Sequence, residues 1–351
     1  MNRALTAIAN RPIGPGHPCF VIAEAGVNHN GDMDMALRLI DIAADAGCDA
    51  VKFQTFITEK EVSPFAPKAD YQIANTGADE SQLEMLKGLE LDEAAHRRLM
   101  EHCDRRGILF LSSPFDMDSV ALLGRLELAA IKIPSGEITN IPYLQAIAAL
   151  GRPIILSTGM STLAEVGEAL ELLRRAGDPP VALLHCLSCY PADPTEVNLR
   201  AMDSMAHAYQ VTVGYSDHTL GTSVAVAAVA RGAAIIEKHI TLDHDLPGPD
   251  HRASLEPDEL QSMMTAIRVV ERALGDGLKR VQPSEANTRD VARKSVCTSR
   301  VIAAGQTLRD DDLIMLRPGT GFPARDLPLL TGRRSRRDLP AGWPLTAEDL
   351  E

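Results

Sequence analysis

Eight short runs rich in β-branched and other apolar residues punctuate residues 1–280, and their alternation with helical stretches constrains the fold more than any other feature. The runs are CFVIAEAG (19–26), DAVKFQTF (49–56), ILFLSSPF (108–115), AAIKIPSGE (129–137), PIILSTGM (153–160), VALLHCLS (181–188), VTVGYSD (211–217) and AAIIEKHITL (233–242). Between them lie segments such as MDMALRLIDIAADAG and LDEAAHRRLMEHCDRRG, with apolar residues three and four apart and a closing glycine. Strands separated by helices of this length pair in parallel. Eight of them predict a closed (β/α)8 TIM barrel, an α/β fold.

Active sites of such barrels form at the C-terminal strand ends, and here every strand delivers polar residues to that end. In order these are Glu24 with the loop Asn28-His29-Asn30, Lys52 with Gln54, Ser112 with Ser113, and Lys132 with Ser135 and Glu137. The later strands bring Ser157 and Thr158, then His185, Ser188 and Tyr190, then Ser216, Asp217 and His218, and finally Glu237 and His239. Lys52 and Lys132 sit within apolar strands, where an unpaired ammonium is costly to desolvate. Either they pair with Glu24 and Glu237 as a filled polar layer, or with the strand-end serines they cradle a phosphate or carboxylate. His218 and His239 end neighbouring strands, so their rings can converge. Two imidazoles leave a divalent ion open positions for water and substrate oxygen. His29 is explained as well by loop closure before a helix capped by Asp32.

Past the barrel, residues 281–293 are polar and without period, and read as a linker. Residues 294–351 then hold an internal repeat: SRVIAAGQTLRDDDL (299–313) is echoed by RRDLPAGWPLTAEDL (336–350), aligning Gly305 with Gly342 and Asp312-Leu313 with Asp349-Leu350. Two copies of one small β unit are expected to pack into a compact, mostly β domain. With 48 acidic against 35 basic residues, the chain is a poor ligand for nucleic acid or membrane, and the run Arg333-Arg334-Ser335-Arg336-Arg337 reads as a solvated strip. Six scattered cysteines and an N-terminus without a signal-type apolar core lead us to expect a reduced, cytoplasmic protein. The C-x-x-C of Cys186 and Cys189 runs off a strand into Tyr-Pro with no second ligand pair, which favours packing over zinc or redox chemistry.

FVIAEAGVNHNGD, KFQTF, KIPSGEITN, ILSTGMST, GYSDHT, EKHITLD and GPDHRASLEP resemble the sialic acid synthases, and RPGTG with AGQTL resembles their C-terminal antifreeze-like (SAF) domain. The resemblance spans nearly the whole chain. It implies a TIM barrel followed by a small β-clip domain, a domain-exchanged homodimer, and condensation of phosphoenolpyruvate with an N-acetylated mannose-type sugar. His218 and His239 are then ligands of a divalent metal, manganese first and magnesium or cobalt as alternatives. Lys52, Lys132, Ser135, Ser157, Ser188 and Ser216 would hold phosphoenolpyruvate. Gln54, Glu137, Tyr190, Glu237 and Asp250 would surround the sugar, with Arg317 reaching its N-acetyl group from the partner subunit. Glu24 or Glu237 would assist the attacking water, and the two lysines would neutralise the departing phosphate. Leu187-Ser188 stands where many relatives carry Thr-Asn or Thr-Thr.

GPDHRASLEP looks more like the N-acetylneuraminate and legionaminate branches than the pseudaminate branch. Two further readings stay open at this level. A metal-dependent barrel aldolase or hydrolase would use the histidines without needing both lysines, and a SAF-type carbohydrate-binding protein would need neither.

Overall fold

The computed structural model describes residues 3–77 and 79–351 and divides into two compact units, Met1–Gly275 and Asp276–Glu351. In the first, eight parallel strands form one sheet: β1 Phe20–Gly26, β2 Ala50–Thr55, β3 Leu109–Pro114, β4 Ile131–Ile133, β5 Ile154–Ser157, β6 Val181–Cys186, β7 Thr212–Asp217 and β8 Ile235–His239. Their order is β3-β2-β1-β8-β7-β6-β5-β4, and the end strands β3 and β4 pack together, so the sheet curls into the expected barrel. The fourth strand is shorter than the 129–137 run suggests. Pro134 has no N–H for a ladder, and its carbonyl instead accepts from Glu137 N, closing a 3-10 turn over Ser135–Glu137.

The two-residue period of a strand decides what fills the barrel. Low in the interior, Phe20, Ile22, Ala50, Leu111, Ala130, Ile155, Ala182, Leu184 and Ile235 form one buried apolar cluster. Leu5, Ile8 and Ile13, from the segment around a short hairpin (Ala7–Ile8 with Arg11–Pro12), complete that cluster and seal the floor. Two residues further along the same strands the inward positions turn polar: Glu24, Lys52, Ser113, Lys132, Ser157, Ser216 and Glu237 are all buried. The alternate residues, among them Val21, Ala23, Val51, Phe53, Ile133, Leu183 and Ile236, face the helices and join the larger outer core. A strand that faces mainly apolar groups outward, and polar groups inward only near its end, fixes both the register and the position of a cavity.

Helix boundaries follow local chemistry. Asp32 caps the helix Met33–Asp45, and Thr162 with Glu165 makes a capping box on Leu163–Ala176. Residues 56–92, between β2 and its helix Glu93–Arg106, carry three short helices, Thr58–Glu61, Asp70–Thr76 and Gln82–Lys87. Among the described residues no helix is long and apolar enough to cross a membrane.

In the second unit, residues 281–293 hold a 3-10 turn at Pro283–Glu285 and a helix at Ala286–Ala292, all solvent-facing except a half-buried Ala292. Exposure on nearly every side explains why the segment shows no apolar period. The repeat beyond it is a structural one. Ile302 and Leu339 exchange backbone hydrogen bonds at 2.9 and 2.8 Å, so corresponding residues of the two copies meet. Each copy turns at a glycine with positive φ, Gly305 or Gly342, where a side chain would be strained. Each buries an aspartate held by an arginine, Arg300 on Asp312 and Arg337 on Asp349, both at 2.6 Å. Val296, Ile302, Leu308, Leu330, Leu339, Leu345 and Leu350 form the core between them.

Candidate active site

At the C-terminal ends of the strands lies a cavity of about 360 Å³, within the range of small-molecule sites. Its floor is a buried tetrad. Glu24 and Lys52 are register partners on β1 and β2, with Lys52 Nζ 2.7 Å from Glu24 Oε2 and donating to Ser113 Oγ at 3.0 Å. Lys132 Nζ donates to Ser157 Oγ at 2.7 Å and lies 3.6 Å from Glu237 Oε1, which also accepts from Ser216 Oγ at 3.0 Å. Glu237 Oε2 is 3.9 Å from Lys52 Nζ, so the carboxylate as a whole bridges the two lysines.

The two carboxyls are driven apart. Burial pushes Glu24 up to about 7 against the pull of Lys52, while for Glu237 burial is outweighed by Lys132 and Lys52, which hold it below the usual range. Burial also lowers Lys132, whereas in Lys52 the Glu237 and Glu24 carboxylates overcome it and raise the ammonium. Near neutral pH the tetrad thus holds a firmly charged Lys52, an ionised Glu237 and a Glu24 poised to exchange a proton.

Beside the tetrad, the rings of His218 and His239 lie 5.5 Å apart between centroids. His218 Nδ1 donates to Leu187 O at 2.7 Å, which in the neutral ring puts the lone pair on Nε2. Burial, with His218 and Lys52 nearby, holds His239 well below the ordinary imidazole range, so its ring is neutral, and its Nδ1 is buried without a hydrogen-bond partner. A neutral imidazole with an orphaned nitrogen next to a second oriented imidazole fits a divalent ion. Among the described residues no group of three or more His, Cys, Asp and Glu side chains is arranged for metal, so the pair would leave the remaining positions to water and substrate. Tyr190 lies against His218, 4.1 Å between ring centroids, and edge-on to His239 at 5.6 Å. Asp250 Oδ2 is 4.0 Å from His239 Nδ1, and burial pushes its carboxyl up to about 6.

The serine side of the cavity depends on one missing Cβ. Gly159 N donates to Ser135 Oγ at 2.9 Å, and a Cβ on Gly159 would stand 2.1 Å from Ser188 Oγ and 2.9 Å from Ser135 Oγ. Glycine there keeps both hydroxyls and the β5 end open to a ligand.

Of the side chains singled out from the sequence, Glu24, Lys52, Gln54, Lys132, Ser135, Ser157, Ser188, Tyr190, Ser216, His218, Glu237, His239 and Asp250 all line this cavity. Glu137 does not: Asn140 Nδ2 donates to its Oε2 at 2.6 Å and holds it beside the rim. Arg317 belongs to the second unit and is exposed there. Asp217 points outward, where its carboxylate pairs with Lys238 at 2.9 Å in full burial. His185 likewise faces the helices, bonded to Val197 O. His29 is buried, with Nδ1 accepting from Gly31 N at 3.0 Å, a loop-closing role. The sequence reading missed Glu61, Tyr71, Gln72 and Gln82, which the 56–92 excursion adds to the wall.

The sequence profile of the NeuB family matches residues 39–279, and that of the SAF domain matches residues 293–351. The chain is 51% identical over 307 residues to the N,N'-diacetyllegionaminic acid synthase of Campylobacter jejuni, covering 87% of this chain and 92% of that protein. It is 44% identical to the enzyme of the same name from Legionella pneumophila, over 100% of this chain and 99% of that one. Among solved structures, N-acetylneuraminic acid synthetase from Leptospira borgpetersenii in complex with citrate superposes with a TM-score of 0.73 at 36% identity, covering 82% of this chain and 95% of that one.

Proposed function

The chain belongs to the NeuB family, and from that premise we propose that it condenses phosphoenolpyruvate with an N-acetylated mannose-type sugar to form a nonulosonic acid, a 2,4-diacetamido-trideoxy sugar being preferred to N-acetylmannosamine. The preference follows the two diacetyllegionaminic acid synthases of 51% and 44% identity. The observation that carries the reading is the juxtaposition of two buried ammonium groups and the histidine pair in one cavity. A simple metal-dependent aldolase has no use for the lysines, and a binding module has no use for a neutral, orphaned imidazole.

Lys52 and Lys132, with Ser135, Ser157, Ser188 and Ser216, hold the phosphate and carboxylate of phosphoenolpyruvate and fix its enol carbon near the sugar aldehyde. His218 and His239 would hold a divalent ion, manganese by preference and otherwise magnesium or cobalt, which would supply Lewis-acid polarisation of the sugar carbonyl. As the new C–C bond forms, positive charge develops at C2 of the former enol, and ionised Glu237 stabilises it. Glu24, poised near neutrality, takes a proton from the water that adds to C2, and one proton is returned to the alkoxide left on the former aldehyde oxygen. The C–O bond to phosphate then breaks as the C2 hydroxyl proton passes to the departing phosphate, leaving an α-keto acid, and the two ammonium groups neutralise the leaving anion. Gln54, Tyr190 and Asp250 position the sugar. On family precedent the reading includes a domain-exchanged homodimer in the cytoplasm, with Arg317 of the partner subunit at the N-acetyl group.

Steady-state assays with phosphoenolpyruvate, manganese and each candidate sugar test the proposal. Release of inorganic phosphate together with keto-acid formation is expected; inactivity with every sugar overturns it.

A further inference from the structure

The cavity wall carries a half-buried carboxyl that the mechanism leaves unused. Glu61 ends the helix Thr58–Glu61, and its Oε2 is buried with no hydrogen-bond partner. The helix is anchored on several sides. Asp116 Oδ2 accepts from Ile57 N at 2.8 Å and Glu90 Oε1 from Thr58 N at 2.9 Å, while Lys60 pairs with Asp118 and Glu59 with Lys87. The position of Glu61 is therefore built into the fold.

What the fold withholds is a donor. Burial above all, and then the nearby carboxylates of Asp116 and Glu137, push Glu61 up to about 7. Gln72 Oε1 accepts from Ala69 N at 2.9 Å and from Gln82 Nε2 at 3.3 Å, and neither glutamine amide donates to Glu61 Oε2. An acceptor held dry without a donor is costly unless a ligand supplies one. Phosphoenolpyruvate offers only anionic acceptors, which Glu61 repels, so the donor must come from the other substrate. Resting on the synthase reading above, we propose that Glu61 selects the acceptor sugar by accepting a hydrogen bond from one of its N–H or O–H groups. The amide N–H of a second acetamido group and the hydroxyl that replaces it in N-acetylmannosamine are the two sources of that donor.

The test compares wild type with Glu61→Ala and Glu61→Gln, using kinetics and calorimetric titration with each of the two sugars. Measured above the raised pKa of about 7, where Glu61 is ionised, Glu61→Ala is expected to raise the KM or Kd for sugar by about tenfold or more, as loss of a hydrogen bond to a charged group does, leaving the KM for phosphoenolpyruvate unchanged. A rise confined to the diacetamido sugar assigns the amide, and a rise with both sugars assigns a hydroxyl or a shared donor. Glu61→Gln, which keeps an acceptor oxygen, should recover part of the loss. Unchanged sugar parameters, or equal shifts for sugar and phosphoenolpyruvate, overturn the proposal. If wild type binds sugar without making keto acid and Glu61→Ala weakens that binding, the synthase reading falls while the role of Glu61 stands. A wild type that neither binds nor converts either sugar overturns both.

Discussion

Glu24 and Lys52 face each other across a parallel ladder, register partners on β1 and β2 with carboxylate and ammonium 2.7 Å apart. Because backbone pairing sets this contact, the ammonium is presented to the cavity in one orientation before any substrate arrives. Replacing either lysine should therefore cost binding of the anionic substrate above all. Lys52→Met and Lys132→Met are each expected to raise the KM for phosphoenolpyruvate by about tenfold or more, the value of a charge-assisted hydrogen bond, with a much smaller change for sugar. Unchanged KM values would place both lysines in a purely structural layer.

Glu24 gives the fold a pH signature. Its carboxyl is raised from 4.5 to about 7 in the folded chain. A raised carboxyl contributes stability that is fully present below the unfolded pKa and lost as pH rises through the folded one. Relative to Glu24→Gln, wild type should lose melting temperature between pH 4.5 and about 7. A constant difference between the two proteins across that window would show that Glu24 stays ionised.

Metal affinity should reside in two rings. His218→Ala and His239→Ala are each expected to weaken manganese binding, measured by calorimetry on chelator-stripped protein, by at least the roughly 10–100-fold typical of even an outer-shell loss. Tyr190→Phe keeps the ring that packs against both imidazoles and should leave manganese affinity intact. Equal affinities in all three variants would remove the ion from this site.

Gly159→Ala tests the serine side. The added methyl has no room 2.1 Å from Ser188 Oγ, and overpacking of this kind costs about 1–3 kcal/mol. The variant should lose both stability and affinity for phosphoenolpyruvate, and adding Ser188→Gly should restore part of each. A second substitution that rescues nothing would mean that another contact sets the limit.

The repeat in the second unit makes a symmetric prediction. Arg300→Met and Arg337→Met remove equivalent partners from Asp312 and Asp349. Both arginines are about half exposed, 54% and 55%, so each loss should be only about 1 kcal/mol. Thermal melts should give similar decrements for the two. A several-fold disparity would mean that the copies carry unequal loads.

Most of the barrel was legible because strand periodicity and site chemistry coincide: the same alternation that hides Ile22 and Ala50 inside lifts Glu24 and Lys52 one step higher. Applied more strictly, that period would also have sent Asp217 and Lys238 outward, away from Ser216 and Glu237, as the structure has them. Glu61 and Tyr71 were not legible. They lie in a polar excursion whose short helices have no apolar stripe to announce them, and only the folded chain brings that segment over the strand ends. Glu137 shows the converse limit, since spacing placed it at the mouth but a neighbouring amide, Asn140, turned it aside.

The greasy stopper of Leu5, Ile8 and Ile13 beneath the sheet gives the ammonium groups an apolar underside. Any partner they take from outside the protein therefore meets them from the strand-end side, where the hydroxyls and carboxyls are gathered.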